Sequence, residues 1–589
     1  MREGLSRLPL ALVLIAFCFP LFIGLGAPDL ANDEAIYSFA VESILRTGDW
    51  LSPRSSPNLH IVFLEKPPLK FWLVAAPIRL GLLPLDEFGL RFWDAVLGSA
   101  AFVYVFLLGR RLAGPVCGIV AVMILFAHDP LIFEHGVRSN NMDAALLLAY
   151  CGGVYHYLRW VGAPEARARW MHAAAVGALF YLGFMTKFVA ALFLPMVLGV
   201  TALIFTAHRQ RLREDLWRWV AVGAVVIGLI VPWFVYQYVM EGQALIAVMF
   251  GDHVYTRFTT FADPQHLNPW HFYVTAAHAT LAASGSALWV GLGLLVLGSD
   301  AVRRKRPELW LVILWLVLPV TLISLGSSKL YHYFYPYVPP LALAGGYGVA
   351  WLTAVVLRVT GAYFERWSAR GWQSSRGLQR VLQAVIGICI GVAIATAVDG
   401  GVRIAWGEQL LFRNTSVDRP IIAAALAGAA LGQIRAVPAI GVAMLAWLLL
   451  PTPLAGYIDN LGQLRGGRDP MRSMGACISR ITAERQQAGL EAPGVYAPVS
   501  EAAYLHPYFY YLRGSAWHAR AADHAVITDA LAVPGRERPV VLDKTRYHEY
   551  LQQAGADAPA VVSVNWQNVT LLLPGAYGEC RTTQQIRRR

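Results

Sequence analysis

About thirteen apolar stretches of membrane-spanning length run through this chain, and no other feature limits its fold so strongly. They fall near residues 8–26, 91–109, 114–128, 142–158, 171–186, 188–206, 219–240, 274–298, 308–326, 336–357, 381–399, 419–434 and 437–456. A run of roughly 17 to 25 apolar residues is what a helix needs to cross a bilayer. Inside hydrocarbon each backbone N–H and C=O must find a partner within the protein, and helices provide it. Composition agrees, with 57% hydrophobic residues, 15% charged residues and a mean hydropathy of +0.48. A soluble domain carries about 25% charged residues, so a water-soluble multidomain enzyme is excluded. No low-complexity run, collagen period or heptad repeat is present, which removes disordered and fibrous classes.

Arg2 and Arg7 precede the first apolar run, which lacks a clear small-residue cleavage site and reads as an uncleaved first helix. With the N-terminus cytoplasmic, alternate loops carry Arg110 and Arg111, then Arg159, Arg167 and Arg169, then Arg209, Arg211, Arg213 and Arg218. Further loops on that side carry Arg303, Arg304, Lys305 and Arg306, then Arg358, Arg366, Arg370, Arg376 and Arg380, then Arg435. The net charge of +12 is therefore topological, and nucleic-acid binding is not indicated. The expected organisation is a membrane domain over 1–457, with outer loops 27–90 and 241–273, followed by an outer domain over 458–589. That tail alternates strand-like pieces (494–498, 524–528, 539–543, 561–565, 568–573) with helical ones (499–512, 544–554), a pattern for a small periplasmic α/β domain. Cys477 and Cys580 are its only cysteines and form a disulfide candidate in an oxidising compartment.

The chemistry-bearing residues gather on the outer side. Asn32-Asp33-Glu34-Ala35-Ile36-Tyr37 opens the first outer loop. Asp33 reads either as the cap of an interfacial helix or as a carboxylate able to orient or deprotonate an incoming nucleophile. Glu65-Lys66-Pro67-Pro68 opens a second helix, because proline suits a first helical turn. Lys66 there is either a snorkelling cation or a lipid-phosphate contact. Asp143 opens the fourth span, and ionisable residues at membrane depth mark sites or partners. Lys187 lies between two apolar runs, and Lys329 precedes an aromatic run that includes Tyr331 and Tyr335. In the second large loop, His253 and Arg257 are four apart and share a helix face. Arg257 could fork onto a phosphate, while His253 with a distant carboxylate such as Glu65 could ligate a metal. No HExxH, Walker or GxSxG pattern occurs, which leaves zinc proteolysis, nucleotide hydrolysis and serine hydrolysis without support.

Taken in order, Asp33-Glu34 with Tyr37, Thr47-Gly48-Asp49-Trp50, Phe63-Leu64-Glu65-Lys66-Pro67, Met142-Asp143, Met185-Thr186-Lys187, Asp252-His253 with Arg257-Phe258, and Lys329 resemble one family. It is the GT-C membrane glycosyltransferases of the protein-mannosyltransferase-like group, closest to the lipid A aminoarabinose transferases. The motifs cover roughly residues 8–350. The resemblance implies a polytopic GT-C fold in a bacterial inner membrane and inverting transfer of one sugar from a polyprenyl phosphate donor at the periplasmic face. The implied acceptor is a lipid or glycan such as lipid A. It also implies roles: Asp33 as catalytic carboxylate and Asp143 as its support, and Lys66, Arg257, Lys187 and Lys329 on the donor phosphate. Tyr37, Tyr331 and Tyr335 would line the donor cavity, and Glu65 with His253 would hold a divalent metal such as zinc. No nucleotide is called for, since the lipid phosphate already activates the sugar. In the aminoarabinose transferases an Arg follows the Asp-Glu pair two residues later; here the position is Ile36, so another polyprenyl-linked sugar fits equally well. The competing class is a transporter or flippase of lipid-linked sugars, which would show inverted repeats and broken midplane helices. No internal repeat is seen.

Overall fold

The structure, a computed structural model, describes the chain apart from residues 1–8, 56–61, 262–263, 369–375, 408, 435–451, 465, 467–469, 491–493, 498–509, 513–523, 556–561, 567–568 and 581–589. It divides into two compact units. The first comprises Met1–Leu25, Val41–Arg54 and Leu59–Gly466; the second comprises Gly26–Ala40, Ser55–Asn58 and Gly467–Arg589.

The first unit is helical. Among the described residues, six helices are long and apolar enough to cross a membrane: Glu87–Ala113, Ala166–Ile204, Leu216–Glu241, Pro307–Leu325, Tyr331–Val356 and Gly377–Ala397. Pro9–Phe22 and Pro115–Phe126 are shorter apolar helices. The run expected over 274–298 is broken into Phe272–Ala283 and Ala287–Arg304 by Ser284-Gly285-Ser286. Gly285 sits at φ +70, and a β-carbon there would stand 2.5 Å from the Thr452 carbonyl oxygen, so the break needs glycine. The last expected span, 437–456, lies largely outside the described residues. Helix Ala287–Arg304 packs backbone to backbone on Val338–Ser368, where a β-carbon on Gly348 would meet the Gly293 Cα at 2.7 Å. Small residues permit such approach where hydrocarbon offers no hydrophobic drive between helices.

Among the described residues, the buried charges that follow are each held by partners. Lys70, on the helix Leu69–Arg79, is fully buried and donates to Asp94 Oδ2 at 2.8 Å and to Asn140 Oδ1 at 2.9 Å. Arg138 donates to the carbonyls of Pro20 and Leu21, in the last turn of the first apolar helix, and Arg91 to that of Leu25 just beyond it. The segment between Glu134 and Met142 is thereby tied down at both Arg138 and Asn140.

In the second unit, strands β3 (Val540–Asp543), β4 (Val562–Trp566) and β5 (Val569–Leu573) form an antiparallel sheet in the order β3-β5-β4; β1 and β2 are the hairpin Val402–Trp406 and Gln409–Asn414 of the first unit. Helix Lys544–Ala554 follows β3 and is capped by the Asp543 carboxylate on the Arg546 N–H. The strand expected over 524–528 is instead a helix, His524–Ala532. Its buried residues Ile527, Ala530 and Leu531 recur at helical spacing, which outweighs the β-branched pair Val526-Ile527. The helical piece 499–512 falls mostly outside the described residues. Cys477, on helix Pro470–Gln487, is disulfide-bonded to Cys580, with Cα atoms 5.6 Å apart.

Removing one partner of a buried pair strands the other charge, which costs about 3–5 kcal/mol, whereas replacing both by apolar groups is often neutral. Lys70→Met is therefore expected to lower the melting temperature of the detergent-solubilised protein sharply, and Lys70→Met with Asp94→Leu to recover most of the loss. A double variant as unstable as the single would show that the pair itself, not the stranded charge, carries the stability.

Candidate active site

Five segments of the first unit bring their polar residues together. Asp143 is the first residue of helix Asp143–Val161, and Lys187 the last of Ala166–Lys187. Their side chains meet at 2.5 Å, both largely buried. Lys187 Nζ also lies 5.6 Å from the ring centroid of Tyr333. Arg257 donates to the hydroxyl of the same tyrosine. Asp143, Lys187, Tyr333 and Arg257 thus form one chain of contacts across 190 residues of sequence that no local period links. Beside it, His332 stacks on His135 with centroids 4.6 Å apart and an interplanar angle of 19°. His135 holds a non-glycine φ of +50, and its Nδ1 lies 3.2 Å from Asn141 Oδ1. A residue in that backbone region persists only where its surroundings over-determine it. Lys66, Lys187 and Arg257 all act electrostatically on His332, so three cations converge on one small region.

Arg257 and His253 are delivered by an irregular stretch. Ala247–Thr256 is a π-helix that passes directly into Arg257–Thr259. Such wide turns recur at functional sites because they re-aim side chains relative to a regular helix. His253 Nε2 lies 3.5 Å from Glu65 Oε2, and Lys66 Nζ lies 3.8 Å from the same oxygen. Burial, followed by the charges of Lys66 and Arg257, pushes the His253 imidazole down to about 3. It is therefore neutral, with a lone pair available, rather than the cationic half of an ion pair.

A carboxylate oxygen and an imidazole nitrogen about 3.5 Å apart can share a tetrahedral metal, whose ligand bonds are about 2.0–2.1 Å long. They supply two ligands. Among the described residues no group of three or more His, Cys, Asp or Glu could hold a metal ion. The pair therefore fits a metal only if its remaining positions are filled by water or by an anionic ligand.

Other expected residues are engaged elsewhere. Lys329 is buried, and its ammonium donates to the carbonyls of Asn268 at 2.8 Å and Gly326 at 2.5 Å, tying the loop around 266–268 to the 326–329 segment. The Tyr331 hydroxyl pairs with His128 Nε2 at 2.9 Å, and the Tyr335 hydroxyl donates to the carbonyls of Pro130 and Glu134. Tyr333 is not among the tyrosines that the family resemblance implies; it lies on the same 3-10 helix, Tyr331–Tyr337.

Asp33, Glu34 and Tyr37 belong to the second unit, on the first turns of helix Asn32–Thr47. Glu34 is buried and turns back to accept the Ala31 N–H at 2.9 Å; Asp33 is half-buried, and Tyr37 is buried. The same unit fixes the entry to this helix through Asp29, whose carboxylate accepts the N–H groups of Met471 and Arg472.

The first unit is thus a helical bundle, with helices long and apolar enough to cross a membrane, that presents a convergent set of cations, tyrosine and histidines beside two carboxylates. Residues 65–236 match the family model described as dolichyl-phosphate-mannose-protein mannosyltransferase. The chain is similar to the undecaprenyl phosphate-alpha-4-amino-4-deoxy-L-arabinose arabinosyl transferase of Pseudomonas paraeruginosa, 28% identical over 342 residues, or 58% of this chain and 59% of that relative. It thus matches less than two thirds of that relative's length. Among solved structures it resembles ArnT from Cupriavidus metallidurans bound to undecaprenyl phosphate, with a TM-score of 0.60 and 18% identity over 97% of this chain and 98% of that one. A more distant likeness is the oligosaccharyltransferase of Archaeoglobus fulgidus in the apo form, with a TM-score of 0.51 and 11% identity over 91% and 70% of the two chains. These structural likenesses establish a shared fold.

The depressed His253 has a measurable consequence. Its folded form resists protonation while the unfolded form takes a proton near pH 6.5, so its contribution to stability is complete above about pH 6.5 and is lost as pH falls from there toward 3. In a sample with isotope-labelled histidine, the resonance that His253→Gln removes should not titrate between pH 5 and 8. A midpoint near 6.5 would contradict the buried, cation-flanked setting.

Proposed function

We propose that this chain is an inverting glycosyltransferase of a bacterial inner membrane. It moves a sugar from a polyprenyl phosphate donor to an acceptor at the periplasmic face, with lipid A the favoured acceptor. The N-terminus would be cytoplasmic and the residues after about 457 periplasmic. The observation that carries this reading is the convergence of Lys66, Arg257 and Lys187 on the Tyr333 and His332 segment. A cluster of this kind suits a phosphate that gains charge as it leaves.

In the reaction an acceptor oxygen attacks the anomeric carbon, the bond from that carbon to the phosphate oxygen breaks, and the acceptor proton passes to a carboxylate. The products are the glycosylated acceptor and polyprenyl phosphate. Cations placed where charge develops stabilise that transition state more than the ground state. Lys66 and Arg257 take that task in this reading. Lys187 is held by Asp143, which positions its ammonium while leaving further N–H donors for the donor phosphate. Tyr333 holds the Arg257 guanidinium in place. Asp33 is assigned the proton-accepting role by the family resemblance alone. A divalent metal such as zinc would be held by Glu65 and His253, where its chemistry would be to offset anionic charge near the phosphate.

The test is transfer from a radiolabelled polyprenyl phosphate sugar by the purified protein. Lys66→Ala and Arg257→Ala should each weaken donor binding by about 1.5–3 kcal/mol, as expected for charge-assisted contacts. Asp33→Asn should keep donor affinity and lose roughly 10²–10⁴-fold in turnover. Because Asp143 and Lys187 act as one pair, the double variant should lose less than the product of the singles. Unchanged donor affinity in both alanine variants, or near-wild-type turnover in Asp33→Asn, would overturn the respective role. Elemental analysis of wild type against Glu65→Gln/His253→Ala decides the metal, with equal and negligible content in both removing it.

A further inference from the structure

A groove of about 380 Å³ runs between the helices Ala166–Lys187 and Leu216–Glu241, away from the site described above. Its walls include Ala174 and Ala178 on one helix and Ala221 and Val225 on the other, with Trp170 and Tyr181 along its length. Residues four apart share a helix face, so Ala174 and Ala178 form a row of small side chains, faced by Ala221 and the valines Val222, Val225 and Val226. The alanine row leaves a slot where larger residues would have interlocked. Both helices are long and apolar enough to span a membrane, so the slot faces hydrocarbon and suits a lipid chain.

The Trp170 end of the slot is cationic. The Arg218 guanidinium lies 4.8 Å from the Trp217 ring centroid and 5.9 Å from that of Trp170, and it donates to Asp215. Arg169 Nε lies 3.0 Å from the other oxygen of the same carboxylate, which also accepts from Trp160 Nε1 at 2.9 Å. One carboxylate is thus shared by two guanidinium groups, and the corner carries a surplus positive charge. Arg218 is only 8% exposed, yet its buried Nε has no hydrogen-bond partner among the described residues. A donor left unsatisfied beside an apolar slot marks a missing acceptor.

We propose that this groove binds an anionic phospholipid, with the phosphodiester held at Arg218 and one acyl chain lying between the alanine row of one helix and Ala221 and Val225 of the other. The ligand matches both halves of the site: a single negative charge meets the surplus of the Arg169, Asp215 and Arg218 cluster, and the chain fills the slot. Tryptophan and arginine at the end of a membrane helix sit at headgroup level, and basic pockets between such helices recognise anionic headgroups. The site is separate from the proposed donor phosphate. Arg169 and Lys187 are eighteen residues apart on one helix, about 27 Å along its axis, so one phosphate cannot serve both ends.

Native mass spectrometry of the full chain in detergent, with phosphatidylglycerol, phosphatidylcholine or undecaprenyl phosphate added separately, tests this. Wild type should retain phosphatidylglycerol at least tenfold better than phosphatidylcholine, and millimolar inorganic phosphate should not displace it. Arg218→Gln and Ala178→Phe should each reduce that retention tenfold or more, Arg218→Lys should keep most of it, and all should bind undecaprenyl phosphate as wild type does. Equal phosphatidylglycerol retention in wild type and Arg218→Gln overturns the proposal, as does displacement by free phosphate. Loss of undecaprenyl phosphate binding in Ala178→Phe, with phosphatidylglycerol retained, would assign the groove to the prenyl chain and also overturn it. Should Arg218→Gln not fold, Ala178→Phe decides alone: undiminished phosphatidylglycerol retention rejects the site, and its loss beside an intact Arg218→Lys supports it.

Discussion

An ion brought into an apolar bundle must find a counter-ion or hydrogen-bond acceptors there, and much of the first unit is arranged around that demand. Lys70 reaches Asp94 and Asn140, Lys187 reaches Asp143, and Arg169 and Arg218 share Asp215. Water cannot take over these roles at membrane depth, so each pairing holds two segments in fixed register. The consequence is greatest between Glu134 and Met142. That segment has little regular structure of its own, yet Arg138 and Asn140 fasten it to buried partners, and Asp143 begins its helix in a determined place.

The cation cluster depends on this fastening. Three like charges near one another repel, and they remain together because each has a local tether: Lys187 to Asp143, Arg257 to Tyr333, and Lys66 beside Glu65. Burial, with the charges of Lys66 and Arg257 adding to it, keeps His253 neutral, which leaves its nitrogen free for a role that a charged imidazole could not fill. Lys329 shows the contrast. It is equally an isolated lysine next to an aromatic run, but its ammonium is spent on backbone carbonyls and acts as a tie between loops.

Two irregular helices explain much of the difference between residues grouped by spacing and residues grouped in space. The π-helical stretch Ala247–Thr256 keeps His253 and Arg257 within reach of the same cluster, as four-residue spacing suggests. The 3-10 segment Tyr331–Tyr337 turns the Tyr331 and Tyr335 hydroxyls onto the 128–134 segment and leaves Tyr333 in contact with Lys187 and Arg257. An α-helical period cannot reveal which of these wider or tighter turns a run adopts, because that choice is made by what the turn packs against.

The amino-acid sequence by itself determined the class of molecule, since hydrocarbon thickness imposes a length and polarity on every span that local composition must meet. It also singled out Asp143, Lys187, Glu65, Lys66, His253 and Arg257, because ionisable groups are too costly in such a chain to be placed without a partner or a task. Only the tertiary structure decided the partnerships: that Asp143 holds Lys187, that Glu65 faces His253, that Lys70 is matched by Asp94, and that His332 lies on His135. The physical reason is range. Hydropathy and helical period are properties of neighbouring residues, whereas these contacts join positions from 24 to almost 200 residues apart, and they form only when the packing of the whole bundle has brought the segments together.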